Sequence, residues 1–452
     1  MKSIKSKYDA LIIGFGKGGK TLAAYVANQG WQVALIEQSA LMYGGTCINI
    51  ACIPTKFLIQ SAESGVPYSK AIEHKDGLIT TLRQRNYNTL DQNPNATIIT
   101  GKAAFISSHL VSVRLTDTGE EILIEAEKII INTGARPIIP PIPGINRSRR
   151  VFTSTTLIEQ TQRPDELVII GGGYIALEFA SMFAQFGSNV TMLDRSAVFL
   201  PAEDRDVAEA ILTILSAKGI RIELGSTVEK IVTKDLQQDT VVYRNSAGDT
   251  LNINASAILV ATGRQPYTDE LNLPAAGVEQ DSRGYIRVNE RLQTNVPHIW
   301  AIGDVNGGAQ FTYISLDDFR IIRSQFFEAK EHTVHDRRNV ASSLFITPPF
   351  SHVGLREHEA VTQGYRINVA TIPAAVNTRA HILKETGGFL KAVVNAETGQ
   401  ILGCSLLCAY SSELINLVQI AINANIDYTV LRDTIYTHPT MSEALNDLFA
   451  RL

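Results

Sequence analysis

Two glycine-rich turns, each set between a short apolar strand and a helical stretch, occur in this chain, and together they restrict its fold more than any other feature. The first is Gly14-Phe-Gly16-Lys-Gly18-Gly19, after an apolar strand at 10–13 and before a helical pattern that runs to residue 27. A second strand at 33–36 ends at Glu37, 23 residues beyond Gly14. In such a βαβ unit the first glycine makes the tight turn and Gly16 lets backbone approach a pyrophosphate. The pyrophosphate sits at the helix N-terminus, where free N–H groups and the helix dipole favour anions. Gly19 allows close helix–strand packing, and the carboxylate of Glu37 can accept from a ribose 2′-OH. The second unit has a strand at 167–170, the turn Gly171-Gly-Gly173-Tyr174-Ile175-Ala176, a helix at 175–186 and a strand at 190–193. Asp194 follows Gly171 by the same 23 residues. An internal repeat of a dinucleotide unit predicts an α/β protein with two Rossmann-like domains. A carboxylate at Asp194 repels a 2′-phosphate and favours NADH; Arg195 beside it could accept that phosphate, which keeps NADPH open.

At 452 residues the chain has room for about three domains. β-rich pieces at 98–115 and 122–131 separate the two units, and the proline-rich run at 136–143 reads as a linker. A strand at 257–260 leads into Thr262-Gly263-Arg264, and one at 299–302 into Gly303-Asp304. Beyond about residue 340 the pattern changes. Strands at 341–346, 366–372, 388–395 and 401–407 alternate with helices at 356–363 and 412–424, a separate α+β domain. The run at 331–338 reads as a solvated loop. With 45% hydrophobic and 19% charged residues, the composition is that of a soluble globular enzyme. A net charge of −4 argues against a nucleic-acid or anionic-membrane partner. No apolar run approaches membrane-spanning length, and the basic start lacks the apolar stretch of a signal peptide, so a cytoplasmic location is expected.

Four cysteines are too few for a disulfide scaffold. The segment Gly44-Gly45-Thr46-Cys47-Ile-Asn-Ile-Ala51-Cys52-Ile-Pro54-Thr55-Lys56 carries the strongest chemical signal. A Cys-x4-Cys pair can close a small disulfide ring on one helical turn. Pro54 suits a helix start, a helix N-terminus stabilises a thiolate, and Lys56 falls on the same side as Cys52. The bland alternative is two buried, unpaired cysteines. At the other end of the chain, His438 precedes Glu443 by five residues. A carboxylate-oriented imidazole can pass a proton to a thiol, although taken alone a structural histidine is the commoner case. Cys404 and Cys408 lie four apart in an apolar stretch, facing one side of a strand, and read as core, with soft-metal ligation or an auxiliary redox pair as the alternative. The acidic run Glu203-Asp204-Arg205-Asp206 reads as first-turn acids of the following helix rather than a metal site. No cluster has structural zinc spacing, and no Ser-His-Asp signature or P-loop is present, so no metal site is assigned.

Taken in order, these motifs resemble the class I flavoprotein disulfide reductases, the family of glutathione reductase, dihydrolipoamide dehydrogenase and mercuric reductase. The resemblance extends over essentially the whole chain, through AlaThrGlyArg at 261–264, AlaIleGlyAsp at 301–304 and HisProThrMetSerGlu at 438–443. It implies an FAD-binding domain at 1–146 and 264–338, an NAD(P)-binding domain at 147–263 and a dimerisation domain at 339–452. It also implies a homodimer. Cys47 becomes the interchange thiol and Cys52 the thiol beside the flavin. Lys56 pairs with Glu178, Tyr174 gates the nicotinamide pocket, and Asp304 binds the FAD ribitol. Gly45-Thr46 and Thr133-Gly134 line the FAD site, while His438 and Glu443 reach the disulfide of the other subunit. Ala51 and Thr55 stand where the family usually has glycine and serine. Within the family, stretches such as FLPAEDRD at 199–206 and QFTYISLDDFRI at 310–321 resemble a reactive-chlorine-resistance branch. That branch is implicated in survival of hypochlorous acid and in NADH-dependent reduction of Cu(II), which would make Cys47 and Cys52 transient copper ligands. The alternatives are a reductase of a small disulfide or of lipoamide, or a redox sensor with little turnover. The C-terminal tail lacks the cysteine pair of mercuric reductases.

Overall fold

The computed structural model describes residues 4–233 and 238–452; residues 1–3 and 234–237, within the first and second expected domains, lie outside them. Strand Lys7–Ile13 lies between Val33–Glu37 and Glu121–Ile131, parallel to both. Ile299–Ala301 adds a parallel strand beyond Glu121–Ile131. A strand from residue 299 thus completes a sheet begun at residue 7. The strand Lys7–Ile13 is buried along nearly its whole length, which explains its apolar run: Ile12 packs among Leu22, Val26 and Phe319 of the helices on one face, and Leu11 and Ile13 among Phe105, Val113 and Leu273 on the other. Helices Lys17–Asn28 and Thr312–Phe327 pack together on one face, with Tyr25 edge-on to Phe319.

The first sheet also holds two antiparallel pairings, through Ala96–Phe105, Leu110–Leu115 and Glu121–Ile131; the second is parallel throughout, in the order Arg221–Glu223, Asn189–Leu193, Glu166–Ile170, Ala257–Val260, Val151–Thr153. Helix Tyr174–Gln185 covers one face through Leu177, Ala180 and Phe183. A three-stranded antiparallel sheet, Thr227–Thr233, Asp239–Arg244 and Thr250–Ala255, covers the other through Ile231, Val241 and Tyr243. The run at 136–143 is not simply a linker. Ala135–Pro137 pairs antiparallel with Arg264–Pro266 in an isolated two-stranded ribbon, where a proline lacking an N–H is tolerated at a strand end.

The C-terminal part is a five-stranded antiparallel sheet. Its strands run in the order Ser342–Leu344, Phe350–Gly354, Ile401–Leu407, Phe389–Asn395, Ile367–Pro373. Helix Ser411–Asn423 packs on it through Leu414, Ile415 and Val418. Cys404 lies in this sheet, but Cys408 falls just past the strand, so the two do not share a strand face. Both are buried in the core as free thiols, and burial pushes Cys408 up to about 12. Among the described residues, no helix is long and apolar enough to cross a membrane.

Candidate active site

Gly45 ends the turn before helix Thr46–Asn49, which carries Cys47. A Cβ on Gly45 would stand 2.7 Å from Gly16 Cα, so glycine here lets the cysteine segment press against the first glycine turn. Ile50 and Ala51 break the helix, with Ala51 at φ −136°, and helix Cys52–Glu63 starts afresh at Cys52. The cysteines therefore sit on two short helical segments, not on a single turn. Ala51 keeps a negative φ, so the break between the helices does not call on the left-handed freedom of a glycine. Both are free thiols, and each is the largest influence on the other's acidity.

Their acidities diverge. Cys52 is lowered to about 6. The hydrogen bond from Cys47 is the largest cause, burial opposes it, and Thr312, Lys56 and the backbone N–H at the helix start add to it. Thr312 Oγ1 stands 3.5 Å from Cys52 Sγ. The same hydrogen bond, with burial, pushes Cys47 far up. The two directions are opposite, so the thiolate is favoured at Cys52 and the thiol at Cys47. Thr312, the first residue of helix Thr312–Phe327, is a site residue that single-motif reading misses. Its only sequence signal is its place in the QFTYISLDDFRI stretch.

These cysteines open into a cavity of about 1370 Å³. Its wall includes Gly14, Gly16, Glu37, Gly45, Thr46, Lys56, Thr133, Gly134, Gly303 and Asp304, with Tyr174, Ile175 and Glu178 from the second unit. Its size exceeds the roughly 300–1,000 Å³ of common small-ligand pockets and suits an extended dinucleotide. Gly14 has φ +107°, and a Cβ there would meet Asn132 O at 2.3 Å; Gly171, at φ +122°, would meet Ala261 O at 2.4 Å. The two turns thus repeat one packing solution. Glu37 accepts from Phe15 N at 3.1 Å and Ser39 N at 3.3 Å, and burial raises it to about 7 despite these bonds. Burial also raises Asp304. Thr133 Oγ1 is buried with no hydrogen-bond partner among the described residues, a polar atom for a bound group to satisfy. FAD fits this lining: backbone N–H groups at a helix start, a carboxylate for ribose and an unpaired hydroxyl.

Asn132 is a second residue missed by sequence. Its Oδ1 accepts from Gly19 N at 3.0 Å and its Nδ2 donates to Ile302 O at 2.8 Å, stitching the glycine helix to the returning strand. The run at 331–338 is more than a solvated loop. Arg337 pairs with Asp317 at 2.7 Å and with buried Asp318, which accepts from Gly303 N at 2.6 Å and so holds the turn before Asp304.

Lys56 Nζ lies 2.6 Å from Glu178 Oε2, with the Phe345 ring 4.7 Å from the ammonium. Glu178 Oε1 accepts from Phe345 N at 3.0 Å. Tyr174 donates to Glu203 Oε1 at 2.7 Å. Glu203 and Asp204 are not free first-turn acids. Both are buried and pair with the C-terminal part, Glu203 with Arg356 and Asp204 with Lys391 and His358. Gly171, Gly173, Asp194 and Gly263 lie outside the cavity wall; Asp194 Oδ1 accepts from Ser196 N at 3.1 Å. His438 Nδ1 sits 2.9 Å from Glu443 Oε1 in an exposed position, and neither residue lines the cavity of its own chain. Among the described residues no three His, Cys, Asp or Glu side chains converge as a metal site.

The profile of the pyridine nucleotide-disulphide oxidoreductases matches residues 8–318, and that of their dimerisation domain matches 340–449. The chain belongs to the pyridine nucleotide-disulphide oxidoreductase family. It is an NAD(P)H-dependent flavin oxidoreductase with two Rossmann-like units and a C-terminal α+β dimerisation domain. Within the family it is 48% identical to the probable pyridine nucleotide-disulfide oxidoreductase RclA of Escherichia coli K12, over 98% of this chain and 99% of that one. It is 33% identical to a mercuric reductase of Staphylococcus aureus, over 97% of this chain and 81% of that protein. A solved Cu(II) complex of the HOCl-induced flavoprotein disulfide reductase RclA from Escherichia coli superposes with a TM-score of 0.96. That match has 47% identity and covers 99% of this chain and 100% of that one. The chain is thus a flavoprotein disulfide reductase of the RclA type.

Proposed function

We propose that the protein is an NADH-preferring oxidoreductase whose redox centre is the Cys47–Cys52 pair and whose acceptor is Cu(II), in defence against hypochlorous acid. The observation that carries this reading is the split acidity of two thiols in contact at the wall of the dinucleotide cavity. FAD, when bound, supplies the two-electron relay between the nicotinamide and the cysteines. Glu37, Gly14, Gly16, Gly19, Gly45, Thr46, Thr133, Gly134, Gly303 and Asp304 hold it. Gly171, Gly173, Ile175, Asp194 and Gly263 hold NADH, and Tyr174 guards the nucleotide side. The Lys56–Glu178 pair keeps a cation against Cys52.

Two electrons and one proton, the proton taken from solvent, open the Cys47–Cys52 disulfide and leave Cys52 as thiolate and Cys47 as thiol. Two Cu(II) ions each take one electron from this pair. The S–S bond re-forms, the Cys47 proton leaves, and two Cu(I) ions depart. Soft thiolates suit Cu(I), so the cysteines can serve as passing ligands. The RclA likeness, with its Cu(II) complex, supports copper over a disulfide acceptor.

The residue ranges 1–146 with 264–338, 147–263 and 339–452 are our domain division. In the proposed homodimer, His438 and Glu443 of one subunit serve the cysteines of the other. The test is an acceptor panel with FAD-loaded protein: Cu(II), oxidised glutathione, lipoamide and Hg(II), each with NADH and with NADPH. Multiple turnovers fastest with Cu(II) and NADH are expected. Faster turnover with lipoamide or glutathione would reassign the acceptor, and a single stoichiometric reduction without turnover would make the protein a sensor.

A further inference from the structure

Tyr174 occupies an unusual position for a cavity-lining residue. It opens helix Tyr174–Gln185 directly after the second glycine turn, and its ring forms part of the cavity wall. Its hydroxyl is not free to move with the ring. It donates to Glu203 Oε1 at 2.7 Å, and the Glu203 side chain is only 1% exposed.

Glu203 is in turn held rigidly. Arg356 forks onto it, Nε to Oε2 at 2.9 Å and Nη2 to Oε1 at 2.8 Å. A two-bond fork between guanidinium and carboxylate fixes orientation as well as charge. Arg356 is itself anchored, its backbone N donating to Glu359 Oε2 at 2.8 Å. Burial alone would push Glu203 up, but the bonds from Arg356 and Tyr174 hold it below its ordinary value, so it stays ionised. The neighbouring Asp204 ties the same two segments together, accepting from Glu357 N at 3.1 Å and from the His358 ring at 2.7 Å. A buried carboxylate so clamped has nowhere to follow if the phenol leaves. Swinging the ring out of the wall must break a bond to a charged group, while Glu203 stays behind on its fork with Arg356.

We propose that Glu203 and Arg356 are positioning residues that latch Tyr174 shut on the nucleotide side of the cavity, so that nucleotide binding has to break the Tyr174–Glu203 bond. This rests on the reading that Tyr174 guards the nucleotide side. It adds that the guard is locked from the C-terminal domain and that the lock opposes binding.

The test is calorimetric titration of NAD⁺ into oxidised, FAD-loaded protein. Removing the latch without removing the ring, as Tyr174→Phe does, should tighten NAD⁺ binding by roughly tenfold, the scale of one hydrogen bond to a charged group. Glu203→Gln keeps an amide oxygen to accept from the phenol but removes the charge, so it should shift binding in the same direction by less, and the double variant should go no further than Tyr174→Phe, since both act on one bond. General damage to the fold would weaken binding, so a tighter Kd separates a latch from a structural role. Glu203→Gln leaves Arg356 with only the longer pair to Glu359 at 3.5 Å and could fail to fold; Tyr174→Phe removes a single oxygen and decides the question alone. Tyr174→Ala separates the two readings. If it tightens binding while Tyr174→Phe changes Kd by less than twofold, Tyr174 is a guard but the latch is refuted. If neither changes Kd, Tyr174 does not stand in the way of the nucleotide, and the guard reading falls with the latch. Weaker binding in Tyr174→Phe would make the hydroxyl a ligand contact and overturn the proposal.

Discussion

Replacing Cys47 with alanine should raise the pKa of Cys52, although no charge is removed. Cys52 sits at about 6 chiefly because Cys47 donates a hydrogen bond to its thiolate. At pH 7 a thiol with that pKa is about 90% thiolate, whereas an unperturbed one near 8.5 is only a few per cent. A hydrogen bond to a charged group is worth about 1.5–3 kcal/mol. At about 1.4 kcal/mol per pKa unit, losing it moves Cys52 up by about 1–2 units. Thr312, Lys56 and the helix start remain, so the thiol should settle between about 7 and 8 rather than return to its ordinary value. The thiolate share at pH 7 then falls to roughly 10–50%. Serine keeps an O–H donor, so Cys47→Ser should hold Cys52 near 6. The assay is the rate of iodoacetamide alkylation of reduced protein from pH 5 to 9, with the modified residue located by mass spectrometry. Cys404 and Cys408 are buried and should stay unmodified. Because nucleophilicity falls along with pKa, the inflection is the readout and not the plateau rate. An inflection still near 6 in Cys47→Ala would refute the assignment of Cys47 as donor.

Four other outcomes follow from the same geometry. Gly14→Ala places a Cβ 2.3 Å from Asn132 O at φ +107°, so the purified variant should retain at least tenfold less FAD by absorbance. Lys56→Met strips Glu178 of its cation; with Lys56 one-third exposed, a loss of about 1–2 kcal/mol is expected in urea unfolding, below the full cost of a buried pair. NADH should exceed NADPH in kcat/KM by about 1–3 kcal/mol of discrimination, because Asp194 disfavours a 2′-phosphate; a preference for NADPH would hand control to Arg195. His438→Ala should slow disulfide reduction by about 10²–10⁴-fold, because a leaving thiolate needs a proton, and should slow Cu(II) reduction far less. In a variant shown by sizing to remain in the wild-type assembly, copper turnover cut a thousandfold would make His438 a ligand or an obligatory proton donor.

The parallel strands and glycine turns were legible because their signals are local: a buried run of four or five apolar residues, a turn glycine, an acid at a fixed distance. The same holds for the Cys47–Cys52 segment. What sequence did not yield depends on contacts between distant residues. Helix Tyr68–Asp91 was not anticipated, since only its first half keeps an apolar stripe, at Ala71, Ile72 and Ile79, which Lys75 interrupts, and its second half is polar. Strand Phe350–Gly354 is buried on both faces and so lacks alternation. Asn132 and Thr312 act by touching residues more than a hundred positions away, which no spacing rule reports. The acids at 203–206 look like helix-start acids in sequence, and indeed Asp204 caps helix Arg205–Ala217 by position. Their partners Arg356, His358 and Lys391 come from the C-terminal domain and give them their actual role.

The central claim is that NADH electrons reach the Cys47–Cys52 pair. Its most direct test is anaerobic titration of oxidised, FAD-loaded protein with NADH, followed by alkylation of the denatured chain. Two new thiols per subunit, mapped to Cys47 and Cys52, are expected, and neither should appear without NADH. Full reduction of the flavin with no gain of thiols at these two positions would contradict the account.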